Sequence, residues 1–228
     1  MSDIWIDLGE PTPRKVQKNY TPYVWSSGRK RYFRIFDKSM HSKIEDVLLR
    51  RRSRLPTGQA NLNTVGALLQ GTSQVLFTGK LENGLPFTQR PVPSAGGIHP
   101  IWILINEPGE SNWWRYIPED HLLEEVENPI LDGIKIRELI KEAVPSQNAT
   151  LIQFIAEPGK TNAKYEAPCS LIWRDAGVLL AYFAIVAEAL EMAFLPLGVS
   201  GHDWVRYLTE NNQLVGVGMA AIGTSARS

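Results

Sequence analysis

The 228-residue chain sets 24 lysines and arginines against 24 aspartates and glutamates, a neutral sum that argues against nucleic acid or an acidic membrane surface as the general partner. A single cysteine, Cys169, excludes an internal disulfide framework, and the four histidines show no metal-ligand spacing. The length fits one α/β or α+β unit with appended arms, and the polar start Met1-Ser2-Asp3 has no signal-peptide pattern, so the cytoplasm is the expected address.

Residues 1–42 mix Trp5, Tyr20, Tyr23, Trp25, Tyr32, Phe33 and Phe36 with prolines and basic residues, without a sustained period. This is the pattern of an arm lying over a domain that occupies residues 43–228. Within it, Arg29-Lys30-Arg31 reads as a solvated face rather than a nucleic-acid patch. A helix is expected after Ser42: Ile44, Val47 and Leu48 have helical spacing, and Ser42 stands three residues before Glu45 in a capping-box arrangement. It ends in Arg50-Arg51-Arg52-Ser53-Arg54, just before Pro56 and Gly58. Four guanidinium groups beside a hydroxyl form a donor set that matches a phosphate. A cationic helix end complementing the macrodipole would account for one or two of these arginines.

Leu62, Val65, Leu68 and Leu69 mark a second short helix, and residues 71–84 read as loop and a variable strand. Then comes Pro93-Ser94-Ala95-Gly96-Gly97-Ile98-His99-Pro100, running into the apolar Ile101–Ile105. Small side chains let a backbone approach a flat ring closely, the prolines limit the loop's freedom, and Ser94 offers a hydroxyl at the edge. A tight turn before a buried strand accounts for the same eight residues. Strands are expected at Ile101–Ile105 and Trp113–Tyr116, as an antiparallel pair across the Glu107-Pro108-Gly109 turn. A polar helix from His121 with Leu122, Leu123 and Val126, an amphipathic helix over residues 130–144, and a strand at Thr150–Ala156 follow.

Lys164, Tyr165 and Cys169 precede a long helix expected over residues 171–194, closed by Pro196 and Gly198. Its Ala176–Ala187 run has no formal charge but is only 12 residues long, short of the roughly 20 that span a membrane, so it reads as a core helix. Cys169, with no histidine or acid beside it, reads as a small wall residue. A helix over residues 202–208 and a strand over 214–222 complete the chain. Seven tryptophans and seven tyrosines suit core packing, a dimer interface or the walls of an aromatic ligand's pocket.

Several of these stretches stand in a familiar order: Arg51-Arg52-Ser53, Pro93-Ser94-Ala95-Gly96 with Pro100, the segment from Trp114 to Leu123, Lys164-Tyr165 before Arg174-Asp175-Ala176-Gly177, and the Leu197-Gly198 turn. Over roughly residues 44–223 the chain resembles the nitroreductase superfamily of flavin enzymes. The likeness is greatest to its SagB-type branch, which includes the azoline dehydrogenases of modified-peptide biosynthesis. The resemblance implies an α+β, three-layer fold with a central, mostly antiparallel sheet flanked by helices, and a homodimer with FMN at its interface. In that scheme Arg51 and Ser53, helped by Arg52 or Arg54, take the FMN phosphate. Pro93, Ser94, Ala95 and Gly96 lie along the isoalloxazine ring, Leu197 and Gly198 offer backbone near its reactive nitrogen, and Arg227 is a C-terminal phosphate contact.

Lys164 and Tyr165 are the expected catalytic pair, one of them removing a carbon-bound proton while hydride leaves to the flavin. Without the resemblance they read as a surface dipeptide. The implied activity is that of an FMN-dependent oxidoreductase acting on a small molecule or peptide. An NAD(P)H-dependent nitro or quinone reductase and a flavin-free binding subunit are the alternatives. Departures from the family pattern are Leu55, where a second basic residue is usual, and Ala181-Tyr182, where the central helix commonly carries Gln-Asn. The chain also has little room for insertions that grip a peptide.

Overall fold

A computed structural model describes residues 6–33, 42–80, 86–145 and 147–225. The arm carries β1 (Thr12–Pro13) and β2 (Lys30–Tyr32), followed by α1 (Ile44–Arg50) and α2 (Leu62–Ser73). Five strands, β3 (Phe77–Lys80), β4 (Pro86–Gln89), β5 (Ile101–Asn106), β6 (Trp113–Ile117) and β7 (Leu122–Val126), lead to α3 (Gly133–Leu139) and β8 (Thr150–Ala156). The chain ends with α4 (Pro158–Lys164), β9 (Tyr165–Glu166), α5 (Cys169–Ala189), β10 (Ala193–Leu197), α6 (His202–Val205) and β11 (Val215–Gly223).

Seven strands form one antiparallel sheet in the order β10-β11-β8-β5-β6-β7-β2, and β1-β9 and β3-β4 form two small ribbons. Successive strand residues face opposite ways, and both faces here are apolar. Ile103, Ile105, Ile152 and Phe154 meet Leu68 and Leu69 of α2 and Phe183 of α5. Leu104, Leu151 and Ile155 meet Ile136 of α3 and Val205 of α6 on the other side. The result is a three-layer α+β architecture with helices on both faces. α5 is long and apolar enough to cross a membrane by length and composition, yet it lies on the sheet and buries Ile172, Ala176, Leu179, Phe183, Val186 and Ala187 in the core.

The antiparallel pair of β5 and β6 and the span of β8 agree with the sequence reading. Other elements differ for identifiable reasons. The expected helix from His121 is strand β7, whose five residues are all buried. Glu124 and Glu125, which look like a solvated helix face, are instead paired: Arg115 of the neighbouring strand donates to Glu124 at 2.6 Å, and Arg29 of the arm donates to Glu125 at 2.8 Å. Cross-strand ion pairing lets charge sit in a covered strand. The central helix stops at Ala189, because Glu191 turns to φ 57° and the next residues pair with β11 from Ala193↔Gly223 to Leu197↔Met219. Pro196 is tolerated there because β10 is an edge strand.

The capping box at Ser42 does not form. Lys43 is the N-cap, without a side-chain cap bond, and Glu45 and Asp46 complement the dipole from the first turn instead. α2 is capped by Asn61, whose side chain accepts from the Asn63 N–H at 2.8 Å. The helix expected over 130–144 shrinks to α3, fixed in register by the Asp132 cap, and the one expected over 202–208 shrinks to α6.

Candidate functional site

The Pro93–Pro100 loop is held by a residue of the central helix. Asp175, in the second turn of α5, accepts from the Ser94 hydroxyl at 2.6 Å and from the Ala95 N–H at 3.1 Å, while the Ser94 oxygen accepts the His99 N–H at 2.9 Å. One 3₁₀ turn over Ala95–Gly97 then brings Gly96 to φ 61°, ψ 20°, a left-handed conformation that favours glycine. Burial pushes the Asp175 carboxyl up, and the bonds from Ser94 and Ala95 oppose that shift. His99 is buried beside the loop with its Nε2 3.1 Å from the Thr88 carbonyl. Burial first, and Arg90 second, lower its pKa to about 4, so the ring is neutral at neutral pH, with the proton on Nε2 to serve that bond.

Lys164 and Tyr165 meet this loop although nearly seventy residues separate them from it. Lys164 Nζ donates to the Gly96 carbonyl at 3.1 Å. A Cβ placed on Gly96 would come 2.6 Å from that Nζ and 2.9 Å from the Tyr165 hydroxyl. The backbone of the pair is clamped by the arm, since β1 pairs with β9 through Pro13↔Tyr165, and the Arg14 N–H donates to the Lys164 carbonyl at 2.8 Å. Arg14 also binds the Asn162 carbonyl at 2.7 Å and the Glu166 carboxylate at 3.1 Å. Farther along, Tyr20 packs so closely on Gly159 that a Cβ there would be 2.4 Å from the ring. Loop, α4 and arm enclose a groove of about 490 Å³, lined in part by Lys18, Tyr20, Arg90, Gly96, Lys160 and Lys164.

The arginine-serine cluster lies elsewhere. Arg51 is the C-cap of α1, Ser53 is exposed, and Arg52 bends back to the carbonyls of Leu49 and Arg51 at 3.1 and 2.9 Å. Arg54 pairs with Glu188 of α5, and its N–H donates to the Phe194 carbonyl at the start of β10. Asp175 and Glu188 are 13 positions apart on α5 (188 − 175), which at 1.5 Å per residue separates the two anchor points by about 20 Å. The sheet gives the same distance. Ile101, just after the loop, pairs with Ala156, whereas Thr150 pairs with Ile222 beside the arginine end; six strand residues span about 20 Å. Within one chain the two motifs therefore stand at opposite ends of the sheet.

Leu197 ends β10, and Gly198 after it is exposed, a Cβ there having no atom of the described residues within 4 Å. Pro93 is exposed at the entry to the loop, and Leu55 projects outward, 42% exposed. Arg227 lies outside the described residues. Sequence reasoning did not single out Asp175 as the loop's anchor, nor Tyr20, Arg90 and Lys160 as groove residues. Asp175 had only a weak signal, an acid early in the long apolar helix α5. The others had none, because each is brought in by a separate element.

No family model matches the sequence, and no curated protein matches it. Solved structures do match by fold. A protein assigned as a nitroreductase from Ralstonia eutropha JMP134 is 18% identical with TM-score 0.66, the match covering 96% of this chain and all of that one. A second, from Anabaena variabilis ATCC 29413, is 18% identical with TM-score 0.60, over 80% of this chain and 38% of that one. The E. coli microcin synthetase McbBCD complex with truncated pro-MccB17 bound matches with 15% identity and TM-score 0.55, over 86% of this chain and 78% of that one. The chain has the nitroreductase fold.

Proposed function

We propose that this nitroreductase-fold chain is an FMN-dependent oxidoreductase that passes hydride between a substrate carbon and flavin, and that two copies of the chain complete each flavin site. The observation that carries the reading is the meeting of Lys164 and Tyr165 with Gly96, because chemistry-bearing side chains are held against a loop that has no side chain of its own there. The residues fit a flat ring. Ala95 and Gly96 project no more than a methyl, and the space a Cβ on Gly96 would take is held by Lys164 Nζ and the Tyr165 hydroxyl, so a flat ring would lie beside that pair. Bound FMN would supply the hydride acceptor or donor.

The chain's own residues then have separable tasks. Asp175 fixes the loop through Ser94 and Ala95, Gly96 admits the Lys164–Tyr165 pair to the loop, and Pro93 sets the entry. Lys164 Nζ or the Tyr165 hydroxyl gives or takes the proton at the atom bonded to the carbon that exchanges hydride, so that the pair left by the proton forms the new double bond as hydride departs, or the reverse. Half-buried Leu197 and exposed Gly198 offer backbone to the ring edge.

Arg51 and Ser53, with Arg52 or Arg54 and with Arg227, would hold the phosphate by charge-assisted hydrogen bonds. Because the cluster stands about 20 Å from its own loop along α5, it serves the loop of a second copy. Ile44, Leu48 and Leu49 of α1 and Trp173 of α5 are exposed apolar side chains that such a homodimer would cover. In this reading residues 1–42 are an arm, of which Gln17 to Tyr20 wall the groove and Lys30–Tyr32 add the edge strand β2 to the sheet, and residues 43–228 are the flavin-binding domain.

The test is the visible absorption band of the purified protein after incubation with FMN and desalting. The wild-type chain should retain the band, and a chain carrying Arg51→Ala and Ser53→Ala should lose it. A wild-type chain that stays colourless overturns the proposal.

A further inference from the structure

The groove between the arm, the loop and α4 is unusually rich in cations for its size. Lys18, Arg90, Lys160 and Lys164 line it against one carboxylate, Glu119. That carboxylate is 54% exposed and 3.8 Å from Arg90, too far for a strong pair. The Arg90 side chain is only 11% exposed, and its buried Nε has no hydrogen-bond partner among the described residues. The Tyr20 hydroxyl is buried and unpartnered in the same sense. Buried donors are ordinarily satisfied; the residues that carry these two both line the groove, although the two atoms themselves are shielded behind its wall.

Glu157 does not meet the need. Its two oxygens accept from the Tyr23 N–H and from Trp102 Nε1, and burial pushes its carboxyl up. Lys160 lies with Nζ 4.4 Å from the Trp102 ring centroid and makes no ion pair among the described residues. Burial lowers the pKa of both Lys160 and Arg90, with carboxylates only partly opposing it. The wall is therefore short of negative charge, and a volume of about 490 Å³ is in the range of small-molecule sites.

We propose that this groove binds a carboxylate-bearing organic substrate, its acid group between Arg90 and Lys160 and its body running along Gly96 and Gly97 toward Lys164 and Tyr165. The planar fork of Arg90 supplies directed donors, and Lys160, stacked on Trp102, supplies a point charge. Calling the anion a substrate rests on the oxidoreductase reading. The binding of an anion here does not.

The experiment is calorimetric titration of the full chain with benzoate and with benzamide, its neutral isostere. Benzoate should bind at least about tenfold more tightly than benzamide, and Lys160→Gln should remove most of that preference while leaving benzamide unchanged. Glu119→Gln, at an exposed side chain that folding does not need, should tighten benzoate severalfold. Equal affinities for the two probes, or charge variants without effect, overturn the proposal. FMN and riboflavin titrated into Lys160→Gln separate the two sources of an anion. If the variant loses a preference for FMN over riboflavin, the groove holds the cofactor's phosphate and the substrate assignment fails. A chain that discriminates benzoate but takes up no flavin keeps the anion site and refutes the flavin reading alone.

Discussion

Gly96→Ala tests the packing at the heart of the site, and Gly109→Ala is its internal control. Both glycines have positive φ, 61° and 77°, but a Cβ on Gly109 meets nothing within 4 Å among the described residues, whereas one on Gly96 meets Lys164 and Tyr165. Forcing a non-glycine residue into this region costs about 1–2 kcal/mol, and stiffening the unfolded chain returns about 0.4–1 kcal/mol. Each variant should therefore lose roughly 1 kcal/mol in urea unfolding. Gly96→Ala should lose up to about 1 kcal/mol more through the Lys164–Gly96 hydrogen bond. The clashing atoms are the ends of flexible side chains, so they swing aside rather than unfold the protein. The specific effect is then functional: Gly96→Ala should weaken flavin binding sharply, and Gly109→Ala should not. If both variants bind FMN as the wild type does, the close approach of the loop to Lys164 and Tyr165 has no part in the proposed site.

His99 gives a pH signature. Its imidazole takes a proton near pH 6.5 in the unfolded chain and only at about 4 in the folded one. Stability should therefore fall as pH drops from about 6.5 to about 4, by roughly 3 kcal/mol, with no contribution above that window. His99→Asn, which tolerates φ 47°, should remove this slope in pH-dependent urea titrations, and equal slopes would contradict the assignment. Asp175→Ala should cost about 2 kcal/mol by leaving Ser94 and the Ala95 N–H unpaired and should speed proteolysis in the loop. Unchanged cleavage would mean that Asp175 does not anchor it. Arg137→Leu should cost about 3 kcal/mol in thermal or urea unfolding, because its guanidinium serves Asn106 Oδ1, the Asn106 carbonyl and the Ala149 carbonyl at 2.8–2.9 Å in the core. A loss under about 1 kcal/mol would show that water replaces it.

The sheet's centre was legible because its pattern is local: the apolar run of β8 and the pair around Glu107-Pro108-Gly109 need no partner to be recognised. β7 was not, since Leu-Leu-Glu-Glu-Val has helical spacing, and its glutamates tolerate burial through partners supplied by other elements, Arg115 and Lys30 for Glu124 and Arg29 and Asn112 for Glu125. The end of α5 was missed for a similar reason, as β11 draws Ala193–Leu197 into the sheet. At the site, the loop and the Lys-Tyr pair were visible as residue types. Their contact depends on β1 clamping β9 and on Asp175 reaching back from α5, neither of which a linear reading contains. The separation of the arginine cluster from the loop likewise follows from register, not composition.

The claim that two copies build each flavin site is tested most directly by mixing defects. One chain carries Arg51→Ala and Ser53→Ala, the other carries Gly96→Val, and differently tagged chains are co-expressed and purified as the mixed dimer. Each variant alone should be colourless. If phosphate cluster and loop act across the dimer, the mixed species holds one site with both defects and one with neither, and should retain one FMN per dimer. If they act within one chain, every site carries a defect, and a colourless mixed dimer would contradict the account.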